Sequence, residues 1–372
     1  MSGLYIHIPY CNTKCSYCDF VSYTNTKTID KYINALKNEI TLNQKTLKDL
    51  KPSTIFIGGG TPTLVPVHLM HDLFKELSQV INISDVKEWT IEANPKTISL
   101  EKLNAYKQIG INRISLGVQS LQQGLLDLIS RKHTPAEAIK AIQLAQGVGF
   151  ENISVDLLYG LPNQTTANIL DDIKRLVNEE VKHISFYGLQ LEEGTPLHER
   201  VNSGRITLPK EEDIKKQYLQ AVDLLTNYGY KQYEISNFSK PNFKSLHNLG
   251  YWNRGNYLGL GVASHSKIAK KRFYNTNSLN EYLSTLEGNK LPIKESQVLK
   301  KSEEKLEQVM LKLRTDMGIP LKQFTNCPKF SLYHDNLISN SLAVNEKGTL
   351  KLTANGYLLS NKIIADLWNF IE

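Results

Sequence analysis

The chain has 372 residues, 41% hydrophobic and 22% charged, a balance that excludes a disordered, collagenous or membrane-embedded protein. At roughly 150 residues per domain, the length implies about two domains. Lys and Arg outnumber Asp and Glu by 44 to 37, and a solvated surface accounts for this net charge of +7 without a nucleic-acid partner. Met1–His7 lacks the basic region, apolar run and cleavage site of a signal peptide, and no run of about 18 apolar residues follows. A cytoplasmic protein with no transmembrane segment is expected.

Strand and helix signals alternate from the start. Leu4–Ile8 reads as a strand, and Asp30–Lys45 as a helix with Ile33, Leu36 and Ile40 on one face. Thr54–Ile57 is a strand running into Gly58-Gly59-Gly60, and Val67–Val80 a helix. Trp89–Glu92 is a strand ending at Ala93-Asn94-Pro95. Ser99 caps a helix that Gly110 stops after Ile109. Arg113–Val118 is a strand and Leu121–Ile129 a helix. Thr134-Pro135-Ala136-Glu137 is a capping box that opens a helix to about Ala145. Ile153–Leu158 and Ile184–Leu189 are strands flanking a Thr166–Val177 helix. Six strand–helix units in a row predict a parallel sheet with right-handed crossovers, whose ligands sit at the strand C-termini.

Beyond about residue 190 the alternation fades. Lys210–Tyr228 is an amphipathic helix, and Tyr230–Tyr274 is polar and aromatic-rich. Helices over Ser302–Arg314, Pro320–Phe324 and Asn361–Phe370 surround a strand at Leu350–Leu352 that follows a Glu346-Lys347-Gly348 turn. This pattern predicts a small winged-helix-type α+β domain. The expected division is a core over 1–235, an extension over 236–299 and a C-terminal domain over 300–372.

Cys11, Cys15 and Cys18 form a C-x3-C-x2-C triplet, with Cys327 far away. The chain is too long and too poor in cysteine for a secreted disulfide framework. A structural zinc needs four ligands, with His7 or Cys327 as the available fourth, and this spacing is not a usual zinc knuckle. Three thiolates suit a [4Fe–4S] cluster with one iron open to a ligand. Cys327 is expected to be a buried, unreactive thiol.

The triplet resembles the signature of the radical S-adenosylmethionine (SAM) superfamily. The resemblance implies an α/β fold, a partial (β/α)6 barrel. It also implies that the open iron chelates SAM, which one electron from the cluster cleaves to methionine and a 5′-deoxyadenosyl radical. Gly58-Gly59-Gly60-Thr61-Pro62-Thr63 is similar to the superfamily's SAM-contacting glycine motif, and no Gly-Lys-Ser/Thr follows to make it a phosphate loop. Glu92, Gln119, Arg131 and Asp156 match SAM-binding positions of the coproporphyrinogen dehydrogenase-like family, as do Tyr5, Tyr17, Gly59, Gly60, Thr61 and Gly188. SAM cleavage would call for an electron donor.

Tyr5–Cys11 and Gly160-Leu161-Pro162 resemble the oxygen-independent coproporphyrinogen III dehydrogenases. Phe20 stands where those enzymes carry a fourth cysteine, and their N-terminal extension has no counterpart before residue 11. Both departures resemble instead the heme-chaperone branch of the family, as does the HNxxYW pattern at His247-Asn248-Leu249-Gly250-Tyr251-Trp252. That branch implies heme as ligand, heme-acceptor proteins as partners, and His247 as the heme-binding residue, flanked by rings able to line a macrocycle. His133, His183, His198 and His265 carry no such context and are expected to be structural. The alternatives are a radical-SAM oxidase of coproporphyrinogen, a radical-SAM methyltransferase and, on charge and cysteines alone, a zinc-dependent RNA-binding protein.

Overall fold

The structure, a computed structural model, describes residues 1–324 and 328–370, so Cys327 lies outside the described residues. Its centre is a run of six parallel strands: β1 (Gly3–Ile8), β2 (Thr54–Gly59), β3 (Glu88–Ala93), β4 (Arg113–Gln119), β5 (Asn152–Tyr159) and β6 (His183–Gly188), side by side in chain order. Alternate residues of these strands are apolar and buried. Leu4 pairs with Ile55 and Ile55 with Trp89, while Ile91 pairs with Ile114 and Ile114 with Ile153. They pack on the helices Ile29–Leu42, Val67–Val80, Leu100–Ile109, Pro135–Gly147 and Thr166–Asn178. The intervening residues are largely polar, among them Thr90, Glu92, Arg113, Ser115, Ser154, Asp156 and Ser185, and they too are largely shielded from solvent. An open, partial barrel with a polar interior results.

The expected capping signals operate. Thr134 and Glu137 close a reciprocal capping box, and Ser99 accepts from the Lys102 N–H. Gly110 ends its helix at φ +109°, a conformation that favours glycine. The helix expected over Asp30–Lys45 ends earlier, at Leu42, and a second helix runs from Gln44 to Leu50.

The polar stretch after Tyr230 is not a simple connection. Strands β7 (Lys231–Gln232) and β8 (Asn237–Ser239) continue the sheet beyond β6. On the other side β9 (Tyr257–Leu260) runs parallel to β1, followed by β10 (His265–Ile268), β11 (Lys271–Asn275) and the edge strand β12 (Ile293–Val298). These strands are short and mixed in polarity, so they carry little periodic signal. In the last segment a three-stranded sheet joins Ile319–Pro320, Thr349–Leu352 and Ala343–Glu346, with helices Lys301–Lys312 and Ser360–Trp368 nearby. Its hairpin turns at Lys347 and Gly348, both at positive φ as a type I′ turn requires. Of the helix expected over Pro320–Phe324 only a 3-10 turn forms, at Leu321–Phe324, and the helix Pro328–Ser339 had no clear sequence signal.

Candidate functional site

The cysteine loop leaves β1 through Pro9 and Tyr10 and is pinned at several points. Tyr23 N–H donates to Pro9 O (2.6 Å) and Cys11 N–H to Tyr23 O (3.1 Å). Ser16 N–H donates to Ile129 O, and Leu197 N–H donates to Ser16 O. The half-buried thiols of Cys11, Cys15 and Cys18 line one cavity at the C-terminal edge of the parallel strands. Burial pushes the Cys11 and Cys18 thiols up, so a metal must displace protons to recruit them.

The same cavity brings together Tyr17, Gly59, Gly60, Thr61, Glu92, Gln119, Arg131 and Asp156. The glycine run follows β2, where Gly60 N–H donates to Ile8 O and Thr61 N–H to Tyr10 O. A Cβ on Gly60 would meet Tyr10 O at 2.6 Å, so only glycine lets the two backbones approach this closely. Gly59 sits at φ +113° and its N–H donates to the Glu92 carboxylate (3.0 Å). Burial, and then the neighbouring Asp156, push Glu92 up to about 8. Burial also raises Asp156, which accepts from Ser115 Oγ at 3.3 Å.

Arg131 carries the cavity's buried positive charge. Its Nη1 lies 3.5 Å from Cys15 Sγ and its Nη2 donates to Gly117 O, while its buried Nε has no partner among the described residues. Burial works against its charge, but Tyr17 and Cys15 outweigh that and hold the guanidinium above its ordinary value. Gln119 reaches the cavity through an irregularity in β4, whose register against β5 shifts between Gly117 and Gln119. Gln119 has φ +71°, a left-handed conformation unusual for a residue with a side chain.

Three predicted residues lie off this cavity. The Tyr5 hydroxyl is bonded to His7 Nδ1 (3.0 Å), and its ring stacks on Phe56. Gly188, at the end of β6, packs against Tyr159, which a Cβ would meet at 3.0 Å. His247 sits on the short helix Leu246–Trp252, beside the first residues of β2 and β3 at the opposite end of the barrel from the cysteines. The Glu88 carboxylate accepts the N–H groups of Leu246 and His247, fixing the helix start. His247 Nδ1 is bonded to Thr54 Oγ1 (2.9 Å) and Nε2 to the Tyr251 hydroxyl (2.8 Å), and the residue is 2% exposed. Burial drives its pKa down to about 3. The neutral ring expected for iron is thus present, but both of its nitrogens are already engaged. His133 and His183 are likewise buried and hydrogen-bonded, whereas His265 is exposed and stacked on Tyr274.

Sequence reasoning did not single out Ser115, Gly117, Asn94, Lys14, Lys96 or Lys132, all of which line the cavity. Gly117 carried a usable signal: it interrupts a buried strand, and a Cβ there would meet Arg131 Nη2 at 3.0 Å. Phe20, which sequence comparison marked only as a missing cysteine, also lines the cavity and is 68% exposed.

The residues fit a cluster and a bound SAM. Among the described residues no group of three His, Cys, Asp or Glu side chains is gathered for a single metal ion. Three thiols around a common cavity suit separate iron corners of one cluster. Beside them lie a glycine cradle, a buried cation with an unpartnered N–H, and two carboxylates, which is the complement an amino-acid ligand with a sugar needs.

A partial barrel with three thiols at the mouth of its parallel strands is the architecture of a radical SAM protein, and the Radical SAM superfamily model matches residues 5–176. Heme chaperone HemW of Bacillus subtilis (strain 168) is 34% identical, over 98% of both chains. HemW of Lactococcus lactis (strain IL1403) is 33% identical over 97% of this chain and 96% of its own. HemW of Escherichia coli (strain K12) is 37% identical over 72% and 70%. The chain belongs to the HemW family within the radical SAM superfamily. Among solved structures, the coproporphyrinogen III oxidase HemN of Escherichia coli superposes with a TM-score of 0.84, covering 98% of this chain and 89% of its own. At 22% identity that likeness is one of fold.

Proposed function

We propose that the protein is a heme chaperone that binds heme and passes it to acceptor proteins, on a scaffold that also holds a [4Fe–4S] cluster and SAM. The observation that carries this reading is the end-to-end similarity to HemW of Bacillus subtilis, at 34% identity over 98% of both chains. The structural likeness to HemN extends to fold and not to substrate.

In this reading Cys11, Cys15 and Cys18 hold three irons. Gly59, Gly60 and Thr61 offer backbone to SAM, Arg131 its positive charge, and Glu92, Gln119 and Asp156 their polar atoms. When bound, the cluster would supply an electron to SAM. The thiol loop's ties to Ile129 and Leu197 hold the three sulfurs in place before metal arrives. Glu92, protonated at neutral pH by its burial, can offer a ligand a donor as well as an acceptor. Ligation of heme by His247 would require one of its two ring hydrogen bonds to be exchanged for iron.

The test is an anaerobic hemin titration of cluster-reconstituted protein, a transfer assay to an apo-heme protein, and incubation with SAM and coproporphyrinogen III. A shifted Soret band and transfer, without decarboxylated product, is the expected result. Decarboxylation without hemin binding would overturn the proposal in favour of an oxidase.

A further inference from the structure

The glycine run after β2 ends in a residue whose side chain is turned toward the cysteines. Thr61 opens the 3-10 turn Pro62–Leu64, and Leu64 N–H donates to Thr61 O at 3.0 Å. A threonine at that place ordinarily spends its hydroxyl on the backbone of its own turn. Thr134, Thr165, Thr195 and Thr353 do so, each accepting a backbone N–H at the start of a helix. The Thr61 hydroxyl makes no such bond. It donates instead to Cys11 Sγ at 3.7 Å. The pair is preset by the backbone. Thr61 N–H donates to Tyr10 O at 2.7 Å, next to Cys11 in the chain, and Gly60 N–H donates to Ile8 O at 2.8 Å. Pro62 narrows the backbone of Thr61 further. Thr61 is 9% exposed, so water hardly competes for its hydroxyl.

A thiol sulfur is a weak acceptor, and a thiolate that carries charge is a stronger one. A sulfur ligand gathers more negative charge when its cluster takes up an electron. A donor on that sulfur therefore stabilises the reduced state more than the oxidised one and raises the potential. Arg131 Nη1, 3.5 Å from Cys15 Sγ, acts in the same sense on a second sulfur, but its guanidinium is also assigned to SAM. The Thr61 hydroxyl is uncharged, and only the backbone of this residue is assigned to SAM. Its effect on the cluster is therefore separable from ligand binding.

We propose that the Thr61 hydroxyl tunes the reduction potential of the cluster through its hydrogen bond to Cys11, making the cluster easier to reduce. The proposal rests on the reading of Cys11, Cys15 and Cys18 as cluster ligands. It is tested on full-length protein, reconstituted anaerobically and titrated with dithionite and redox dyes in the absence of SAM, the reduced cluster being counted by electron paramagnetic resonance. Thr61→Val keeps the shape of the side chain and removes the hydroxyl. At a fixed solution potential its ratio of reduced to oxidised cluster should lie about three- to tenfold below wild type, a downward shift of up to about 59 mV for one electron. Thr61→Ser keeps the hydroxyl and should stay within about twofold of wild type. Iron and sulfide assays check that each variant is loaded. If Thr61→Val assembles no cluster, Thr61→Ala, which also lacks the hydroxyl, is titrated in its place and should show the same shift. A fully loaded variant without the hydroxyl and without the shift overturns the proposal and leaves the cluster assignment standing. A shift in Thr61→Ser as large as in Thr61→Val also overturns it, since the effect then comes from packing. If wild type assembles no cluster, the cluster assignment falls, and this proposal with it.

Discussion

His247→Ala separates a ring that pins the fold from a ring offered to iron. The substitution removes two ring hydrogen bonds, to Thr54 and Tyr251, and the edge-to-face contact with Tyr251 at 4.8 Å. Thr54 Oγ1, in a residue 1% exposed, is left without its ring partner. An unsatisfied buried polar group costs about 1–3 kcal/mol, and the cavity of a truncated buried aromatic adds to it, for a total of about 3–5 kcal/mol. At about 2 °C per kcal/mol for a long chain, the melting temperature should fall by roughly 6–10 °C. Cluster content should not change, because the cysteine loop lies at the other end of the barrel. The acid limb should change as well. The folded-state pKa of His247 is about 3, below the ordinary 6.5, so its contribution is present above 6.5 and is lost as pH falls through that window. His247→Ala should therefore flatten the loss of stability between pH 6.5 and 4. Calorimetric melts of both proteins across this range, with iron and sulfide assays, make the comparison. An unchanged melting temperature together with loss of the hemin Soret band would refute the reasoning and make His247 the heme ligand.

Cys11→Ser, Cys15→Ser and Cys18→Ser should each abolish the [4Fe–4S] absorption after anaerobic reconstitution, since two thiolates do not replace three; retained iron and sulfide in any of them would contradict the cluster assignment. Gly60→Ala forces a Cβ to within 2.6 Å of Tyr10 O, and the backbone shift should cost SAM binding about 1–3 kcal/mol, measured by calorimetric titration, with iron content preserved. Burial raises the folded-state pKa of Glu39 and Glu234 to about 7 and of Glu92 to about 8, above their ordinary 4.5. Because the folded state holds these protons to higher pH than the unfolded one, their contribution to the stability of the metal-free protein is lost as pH rises from about 4.5 to 8 and has levelled off above 8; a urea midpoint that rises between pH 6.5 and 8 would refute the assignment.

The parallel core was legible because its signals are local. Buried strands at near-regular intervals, a capping box at Thr134 and a stop at Gly110 each depend on a few neighbouring residues. The cysteines, glycine run and strand-end carboxylates were legible because the topology delivers strand C-termini to one edge. What escaped depends on partners distant in sequence. β9 is four residues long and is a strand because β1 offers it an edge, and β10 to β12 follow from that pairing. Gln119 could be named, but the register shift that turns it into the cavity could not. The motif around His247 was readable as a pattern, whereas its place at the far end of the barrel rests on Glu88 and Thr54, about 160 and 190 residues away.

The pairing of β1 with both β2 and β9 has a consequence for the order of synthesis. β1, which leads into the cysteine loop, leaves the ribosome before both of its partners, and its β2 side can be covered once residue 59 has emerged. The β9 side stays open until residues 257–260 follow, about 200 residues later. At about 5–20 residues per second that is an interval of roughly 10–40 s. The Leu197 tie to the cysteine loop is made within the same interval. During it the strand that carries the cysteine loop has one bare edge. Closure by β9 ends the exposure of that edge, while the three cysteines stay half-buried around a cavity at the mouth of the strands.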